Sequence, residues 1–417
     1  MVETLIMKIL KILKNPGRKR KYFLEALWEG ILKLSGSVTS IIILLIVLFL
    51  FTQGLGLFKK PVIEEGYELV VNSQNPVKSL TPFEVKEIFD YEIEEWSILS
   101  VENEEDEITI FRLNDIERFV ESEEELESNN IPSTLNRIIE SHQGIIAFIP
   151  KVYINEDFTA KVLDLGNIRP AEFFAGKEWY PTATPAPQFG ILPIVLGTFW
   201  VSLGAILLAL PFGLAVAIYM AELANQRIYK LLKPTVELLA GIPSVVYGFF
   251  GLVVVVPMIQ KVFGLPVGET GLAGSIILGI MALPTIITIS EDALRSVPRA
   301  MREASLALGA NHWQTVYKVI IPYAISGITA AVVLGIGRAI GETMAVLMVT
   351  GNAAIIPTTL LEPLRTIPAT IAAELGEAPK GGAHYQALFL LGCILFIMTL
   401  IINLTVEYIT SKKRIRN

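Results

Sequence analysis

The chain has 417 residues, 52% of them hydrophobic, and its formal net charge at pH 7 is −7. Its mean hydropathy is positive, which argues against an ordinary soluble globular protein. The single cysteine, Cys393, rules out a disulfide within the chain, and the three histidines lack metal-ligand spacing.

Six apolar runs are long enough to cross a bilayer core of about 30 Å, which takes about 20 helical residues. They lie near 35–58, 190–221, 235–259, 271–290, 323–351 and 386–408. Their glycines and prolines are tolerated in membrane helices when neighbouring helices satisfy the freed backbone groups. We therefore predict an all-α polytopic membrane protein with six transmembrane helices.

The distribution of lysine and arginine predicts the orientation. These residues are concentrated in the N-terminal arm, the 222–234 turn, the 291–322 loop and the tail 411–417. The positive-inside rule therefore places both termini and the 291–322 loop in the cytoplasm. The first apolar run begins too far into the chain for a signal peptide and has no small-x-small cleavage site, so we expect an uncleaved anchor.

The acidic residues are concentrated in a polar stretch between the first two runs, at about 66–165. Thr81-Pro82-Phe83-Glu84 predicts a helix over about 82–90, because it supplies an N-cap threonine, a proline at N1 and a glutamate at N3. A second helix should be capped by Ser133 or Thr134 and end before Gly144. Apolar patterns also predict strands, at 68–71, 108–111 and 145–149. We call this stretch the insert and predict a small α/β domain outside the membrane.

The predicted organisation therefore has five parts. They are a basic amphipathic arm at 1–34, the first transmembrane helix at 35–58, an extracytoplasmic region with the insert at 59–189, a core of five transmembrane helices at 190–410, and a basic cytoplasmic tail at 411–417.

The 291–322 loop contains a helix–glycine–helix pattern, which we call the elbow. Its characteristic residues are Glu303, Ala304, Ser305, Ala307, Gly309 and Pro322. Gly309 stands where the first helix should end, and Asn311 with Gln314 forms a capping box that starts the second. The small side chains suit insertion into a groove of another protein. The alternative is an ordinary amphipathic loop.

Two charged residues lie inside the fifth run. Arg338 and Glu342 are four residues apart, so one continuous helix would place them on the same face. The planar guanidinium of Arg338 suits phosphate oxygens, and Glu342 would hold it when no anion is present. The alternative is a structural ion pair between two helices. Ser244 and Tyr247, just after Pro243, would either line the same pathway or bond to a neighbouring helix.

Several motifs together resemble a known family. The elbow resembles the EAA loop of ABC-transporter permeases, the loop that couples the membrane subunit to a separate ATPase. The elbow and three further motifs together resemble the phosphate-specific PstC family of permeases over roughly 165–410. These motifs are Glu172 to Pro181, Gly241 to Gly248 and Gly337 to Ala345. The resemblance implies an ABC importer permease fold and translocation of inorganic phosphate across the cytoplasmic membrane. It also implies that the elbow residues couple to the ATPase.

The resemblance implies several partners as well. They are a second homologous permease subunit, two ATP-binding subunits, an extracytoplasmic phosphate-binding protein and the lipid bilayer; no nucleic acid is expected. The chain has no glycine-rich loop ending in Gly-Lys-Ser/Thr, since Gly176-Lys177 is followed by Glu178. We therefore expect a translocation subunit that is not an enzyme and binds no cofactor, with ATP hydrolysed by the partner.

Part of the insert resembles phosphate-type periplasmic binding proteins, at Asn75 to Thr81, Trp96 and Gly144 to Phe148. In that family, a Ser-Gly-Thr run shortly after an arginine supplies donors to the anion. Here Arg112 is followed by Leu113-Asn114-Asp115, so the donor run is missing. We therefore expect a docking or structural role for the insert, with a ligand site as the alternative.

Other functions stay open at this point. The chain could be a permease for another oxyanion, such as sulfate, molybdate or phosphonate. It could also be a membrane-anchored sensor or scaffold with an external ligand domain, or an ATP-independent channel. The elbow argues against the last two, because neither needs a dock for an ATPase.

Overall fold

The structure is a computed structural model that describes residues 19–59, 63, 66–99, 106–120 and 130–414. Parts of the predicted N-terminal arm and tail, at 1–18 and 415–417, lie outside the described residues. The same is true of two acidic stretches of the insert, at 100–105 and 121–129. The chain divides into two units, Met1–Gln53 and Gly54–Asn417, which we describe separately.

The first unit contains most of helix α1, Lys19–Gly54. Its aliphatic side chains, such as Ile42 and Leu44, are exposed all around the helix. A helix that is apolar on every side is typical of a membrane span. The segment Leu27–Lys59 is long and apolar enough to cross a membrane, which agrees with the predicted run at 35–58.

The second unit begins with the insert, where the described residues form a main sheet of four strands in the order β3-β4-β1-β5. The elements of this region are β1 Tyr67–Val71, β2 Ser79–Leu80, α2 Pro82–Phe89, β3 Thr109–Arg112, α3 Ile131–Ser141, β4 Ile145–Pro150, β5 Lys161–Val162, β6 Asp164–Leu165, α4 Pro170–Ala175, β7 Trp179–Tyr180 and β8 Gln188–Phe189. Strand β4 pairs in parallel with β3 and antiparallel with β1, and β1 pairs antiparallel with β5. The prediction of a small α/β insert is confirmed.

One helix covers each face of this sheet. Val85 and Ile88 of α2 pack with Val71 on one face. Ile138 of α3 packs with Val70 on the other, because neighbouring residues of a strand point to opposite faces. Strand β4 lies between the two layers, and its residues from 145 to 149 are all buried. This explains why its sequence is continuously apolar instead of alternating.

The predicted caps of the two insert helices have different outcomes. The Thr81 capping box is confirmed, since the Glu84 amide donates to Thr81 Oγ1 at 3.3 Å and the Thr81 amide donates to Glu84 Oε2 at 2.7 Å. The predicted cap at Ser133 or Thr134 is wrong, because α3 begins at Ile131 after Asn130. Proline fits the first helical turn, where its missing N–H would have no partner within the helix, so the helix includes Pro132.

The remaining elements are helices, most of them joined by short turns and one pair, α13 and α14, by a longer connection at 350–366. They are α5 Leu192–Ile218, α6 Gln226–Ala240, α7 Ser244–Phe250, α8 Val256–Phe263, α9 Gly271–Arg295, α10 Arg299–Ala307, α11 His312–Thr315, α12 Ile321–Gly341, α13 Met344–Val349, α14 Ile367–Glu374 and α15 Ala383–Arg414. Wider π-helical turns, Tyr219–Leu223, Gly251–Val255 and Val316–Ile320, follow α5, α7 and α11.

Helix α9 lies at the centre of this unit and packs along α5 and α12. A Cβ atom on Gly204 of α5 would lie 2.4 Å from Ser275 Oγ, so this glycine permits a close approach of the two helices. Among the described residues of the unit, five segments are long and apolar enough to cross a membrane: Leu192–Leu223, Ser244–Phe263, Gly271–Arg295, His312–Gly341 and Ala383–Tyr408. With the segment of α1, this confirms the predicted number of six.

Two of the predicted runs are not continuous helices. The run at 235–259 is interrupted between Ala240 and Ser244, because Pro243 has no N–H and disfavours helical backbone at the preceding residue. The run at 323–351 is interrupted after Gly341, where Glu342 has extended backbone with φ −72° and ψ 133°. Its helical part also begins earlier than predicted, at His312.

The insert offers a test of its own core. Trp96 is fully buried and its Nε1 donates to the carbonyl of Gly144 at 3.1 Å. We expect Trp96→Ala to destabilise the insert by about 3–5 kcal/mol, because a large cavity replaces the indole. Limited proteolysis of the full-length protein should then show faster cleavage within 66–165. The control is Ile98→Ala, whose side chain is 59% exposed; equal cleavage of the two variants would contradict this assignment of the core.

Candidate functional site

The interruption of the fifth span separates the two charged residues that the sequence placed together. Arg338 is half-buried in the last turn of α12, and the described residues give its Nε no hydrogen-bond partner. Within the part of the chain that the structure describes, Arg338 forms no ion pair with Glu342 or with another carboxylate. The predicted pair is therefore wrong, because the helix ends at Gly341 and Glu342 leaves the helical face.

Tyr247 lies near this cation. Its side chain is buried in α7 and belongs to the same core cluster as Ala339, the residue after Arg338. The Tyr247 hydroxyl donates to the carbonyl of Leu239 in α6 at 2.9 Å. Of the two alternatives for Tyr247, the hydrogen bond to a neighbouring helix is therefore the observed one. Ser244 is half-buried at the start of α7 and makes no side-chain hydrogen bond to the described residues.

A close crossing of α7 and α13 holds Tyr247 in this position. A Cβ atom on Gly248 would lie 2.8 Å from Met348 Sδ and 3.0 Å from Ala345 Cα, so only glycine fits there without a shift. The interruption after Gly341 lets α13 turn onto α7. The resulting site is a cation with no ion pair to the described residues, near a buried tyrosine and at a break in a membrane-crossing segment.

The elbow has the predicted form. Helix α10 is followed by Gly309 with φ +84°, and the Asn311–Gln314 capping box starts α11. Ser305 Oγ and Thr315 Oγ1 lie 3.0 Å apart and join the two arms. The outer surface of the elbow is exposed, including Glu303, Ala304, Ala307, Leu308, Trp313 and, at the start of α12, Pro322. Ser305 is half-buried.

Two charged residues that the sequence analysis did not assign to a site, Arg302 and Glu222, bind the elbow to the bundle. Arg302 Nη2 of α10 lies 2.9 Å from Glu222 Oε1, and the Glu222 side chain is only 4% exposed. Arg302 Nη2 also donates to the carbonyl of Leu294 at the end of α9 at 2.9 Å. In the sequence, the only sign of this contact was the position of Glu222, an acidic residue at the end of an apolar run.

A second cluster surrounds Glu291 of α9, which is fully buried. Lys233 Nζ donates to Glu291 Oε2 at 2.7 Å, and Arg295 Nε lies 2.6 Å from Glu291 Oε1. Burial lowers the pKa of Lys233, but the hydrogen bond and negative charge of Glu291 outweigh burial, so this pKa is raised above its usual value. Arg295 also donates to the carbonyl of Met220 at 3.0 Å. The cluster therefore ties α6, α9 and the turn after α5 together.

A third cluster links the segment after the insert to α14 and α15. Glu374 lies 2.6 Å from Arg365 Nη1 and 2.9 Å from His384 Nε2, and it accepts from Trp179 Nε1 at 3.0 Å. Burial raises the pKa of Glu374. The hydrogen bonds from His384 and Trp179 and the charge of Arg365 outweigh burial, so this pKa lies below its usual value. Glu374 is therefore ionised at neutral pH and anchors Trp179.

A cavity of about 420 Å³ lies beside Arg112, between the insert and the later residues Thr184 and Pro185. The Arg112 guanidinium donates to the carbonyl of Phe89 at 3.4 Å and lies over the Phe89 ring. The Arg112 amide donates to Asp115 Oδ2 at 3.3 Å, so a carboxylate lies where the sequence resemblance implies hydrogen-bond donors. The negative charge of Asp115 disfavours binding of an anion here. A docking or structural role for the insert stays a prediction.

Residues 209–415 match the family of binding-protein-dependent transport system inner membrane components. The probable ABC transporter permease protein YqgH of Bacillus subtilis is 41% identical over 251 residues, which are 60% of this chain and 81% of that relative. The phosphate transport system permease protein PstC of Mesorhizobium japonicum is 38% identical over 259 residues, 58% of this chain and 78% of that relative. A solved structure of the MetNI methionine ABC transporter in an inward facing conformation is similar over 52% of this chain and 93% of that chain, with 21% identity and a TM-score of 0.42.

The left-handed backbone at Gly309 gives a test of the elbow. A β-branched residue at φ +84° costs about 1–2 kcal/mol, although no neighbouring atom would clash with its Cβ. We expect Gly309→Val to loosen the elbow and to accelerate hydrogen–deuterium exchange over 299–315. Gly309→Asn is the control, because asparagine tolerates this backbone conformation. Equal exchange in both variants would show that the turn does not depend on glycine.

Proposed function

Since the chain belongs to the family of binding-protein-dependent transport system inner membrane components, we propose that it translocates inorganic phosphate. It is a multi-pass membrane permease of an ABC importer. The similarity to a phosphate transport permease supports this substrate, because it extends over 78% of that relative at 38% identity. Sulfate, molybdate and phosphonate are the competing substrates, since a guanidinium also binds other oxyanions.

The observation that carries the proposal is the unpaired guanidinium of Arg338. A charge at mid-bilayer costs about 3 kcal/mol on insertion scales, yet the described residues provide this one with no anionic partner. Phosphate oxygens match the two-pronged donor geometry of a guanidinium. A cation without a fixed partner can bind a passing anion and release it again, whereas a permanent ion pair would compete with the anion.

Three other residues border the proposed path in different ways. The Ser244 hydroxyl has no hydrogen-bond partner among the described residues, so it is available to an anion. The Tyr247 hydroxyl is engaged with Leu239, so we assign its ring to the wall beside Arg338. Glu342 does not hold Arg338, and we retain it only as a residue that lines the path.

We further propose that the elbow docks an ATP-binding subunit. Leu308 is 90% exposed at the tip of the elbow, and Trp313 is exposed beside it, as expected for a surface that a partner covers. In this assembly, two ATP-binding subunits hydrolyse ATP, so this chain is not the enzyme and binds no cofactor. A second homologous permease subunit completes the pathway. The elbow and both termini are cytoplasmic, and the insert lies outside the cell membrane near the phosphate-binding protein.

The test is uptake of radiolabelled phosphate by the complete importer, normalised to the amount of assembled complex. Arg338→Lys keeps the charge and removes the planar fork, so we expect at least about tenfold slower uptake, or roughly 1.4 kcal/mol. Arg338→Gln should be slower still. The control is Lys261→Gln, because Lys261 is exposed on α8 and forms no ion pair with the described residues.

Near-normal uptake by Arg338→Lys and Arg338→Gln would show that Arg338 does not contact the substrate. Unlabelled sulfate and molybdate are added as competitors to wild type. If either inhibits labelled uptake as strongly as unlabelled phosphate does, the assignment of phosphate is wrong and a broader oxyanion permease is indicated.

A further inference from the structure

Helix α10 has an unusual attachment to the bundle. None of its residues, from 299 to 307, is buried, so apolar packing contributes little to holding it in place. Arg302 is half-buried and provides its direct polar contacts, to Glu222 after α5 and to the carbonyl of Leu294 in α9. Ser305 adds a contact to Thr315, but this joins the two arms of the elbow to each other. Arg302 is thus the main connection between the first arm and the bundle.

The partner of Arg302 lies at a structurally sensitive point. Glu222 belongs to the π-helical turn Tyr219–Leu223, which continues α5. Such turns have a wider backbone ring than an α-helix and are frequent at functional sites. The same turn is also held by Arg295, which donates to the carbonyl of Met220. A displacement of Glu222 would therefore act directly on the end of α5.

The geometry of the Arg302–Glu222 pair allows α10 to rotate slightly while the contact is kept. Arg302 Nη2 and Glu222 Oε1 are 2.9 Å apart, but the angle between them is too bent for a hydrogen bond. Among the described residues, neither Glu222 Oε1 nor Arg302 Nε has a hydrogen-bond partner. Coulomb attraction depends on distance and hardly on angle, whereas a hydrogen bond weakens steeply when it bends. The pair can thus stay closed while α10 rotates by a small angle.

We propose that Arg302 is a positioning residue whose contact with Glu222 transmits displacement of the elbow to α5, so that ATP hydrolysis drives transport. This inference rests on the proposed function, because it takes the elbow as the dock of the ATP-binding subunit. Without the contact, the ATPase still binds the exposed tip of the elbow, but α10 moves without moving α5. ATP is then hydrolysed with little transport.

The measured quantity is the number of ATP molecules hydrolysed per phosphate imported, in proteoliposomes that contain the complete complex and the binding protein. Arg302→Gln and Glu222→Gln each remove one charge at nearly constant size. We expect both to raise this ratio by at least about fivefold, the lower end of typical allosteric couplings. Arg302→Lys retains the attraction and should raise it less. The control, Arg299→Gln, removes an exposed charge on the same helix that forms no ion pair with the described residues.

A merely structural role predicts another pattern: less assembled complex, with an unchanged ratio in the complex that remains. That pattern would overturn the inference. If the single variants do not assemble, the double variant Glu222→Gln with Arg302→Gln carries the test, because it leaves no buried charge unpaired. A raised ratio in the double variant supports the inference. A normal ratio, or failure of the double variant to assemble, overturns it.

The proposed function can fail separately from this inference. If wild-type complex shows no ATP-dependent phosphate uptake, the assigned substrate is wrong. If wild type transports phosphate and Arg302→Gln does so with the same ratio, the substrate stands and the role of Arg302 is wrong.

Discussion

Buried charges in the helical unit are paired with opposite charges, and these pairs join neighbouring helices. An apolar bundle cannot solvate an ion, so each charge inside it must be neutralised by a partner. Glu291 is paired with Lys233 and Arg295 at one end of α9. At the other end, Leu364 lies against Gly271, and the neighbouring Arg365 pairs with Glu374. Ion pairs therefore fix α9 directly at its Glu291 end, whereas at its Gly271 end the charged cluster lies in the neighbouring segment and contacts α14 and α15.

Arg338 stands apart from this pattern. The described residues leave it without a hydrogen bond or an ion pair, although it lies in a membrane-crossing segment. The break after Gly341 accounts for this isolation, since it carries the nearest carboxylate in the sequence, Glu342, out of the helix. The same break turns α13 onto α7, whose Tyr247 packs in one core cluster with Ala339, the residue after Arg338. One local change in backbone direction thus creates both features of the proposed substrate contact.

The features that depend on a few neighbouring residues, such as helix caps and turns, could be predicted from the sequence. The Thr81 box and the Gly309 turn are each set by a few consecutive residues, and both occur as expected. The interruption at Gly341 was missed because apolar residues continue from 344 to 349, so hydropathy does not change there. The Arg302–Glu222 contact was missed because it depends on how α10 approaches α5, which no local pattern records. The sequence thus identified single site residues, but the contacts between them could be seen only in the folded structure.

The distribution of contacts indicates which parts of the bundle move as rigid bodies. Helices α5 and α9 approach closely along their length, at Gly204 against Ser275 and at Gly213 against Ile286, so they cannot slide without steric cost. By contrast, α10 has no buried residue and can change its angle at little cost in packing. Motion imposed on the elbow should therefore pass to α5 and α9 as a unit. Because α5 begins just after the segment that Trp179 anchors to Glu374, that unit reaches from the elbow to the insert side of the bundle.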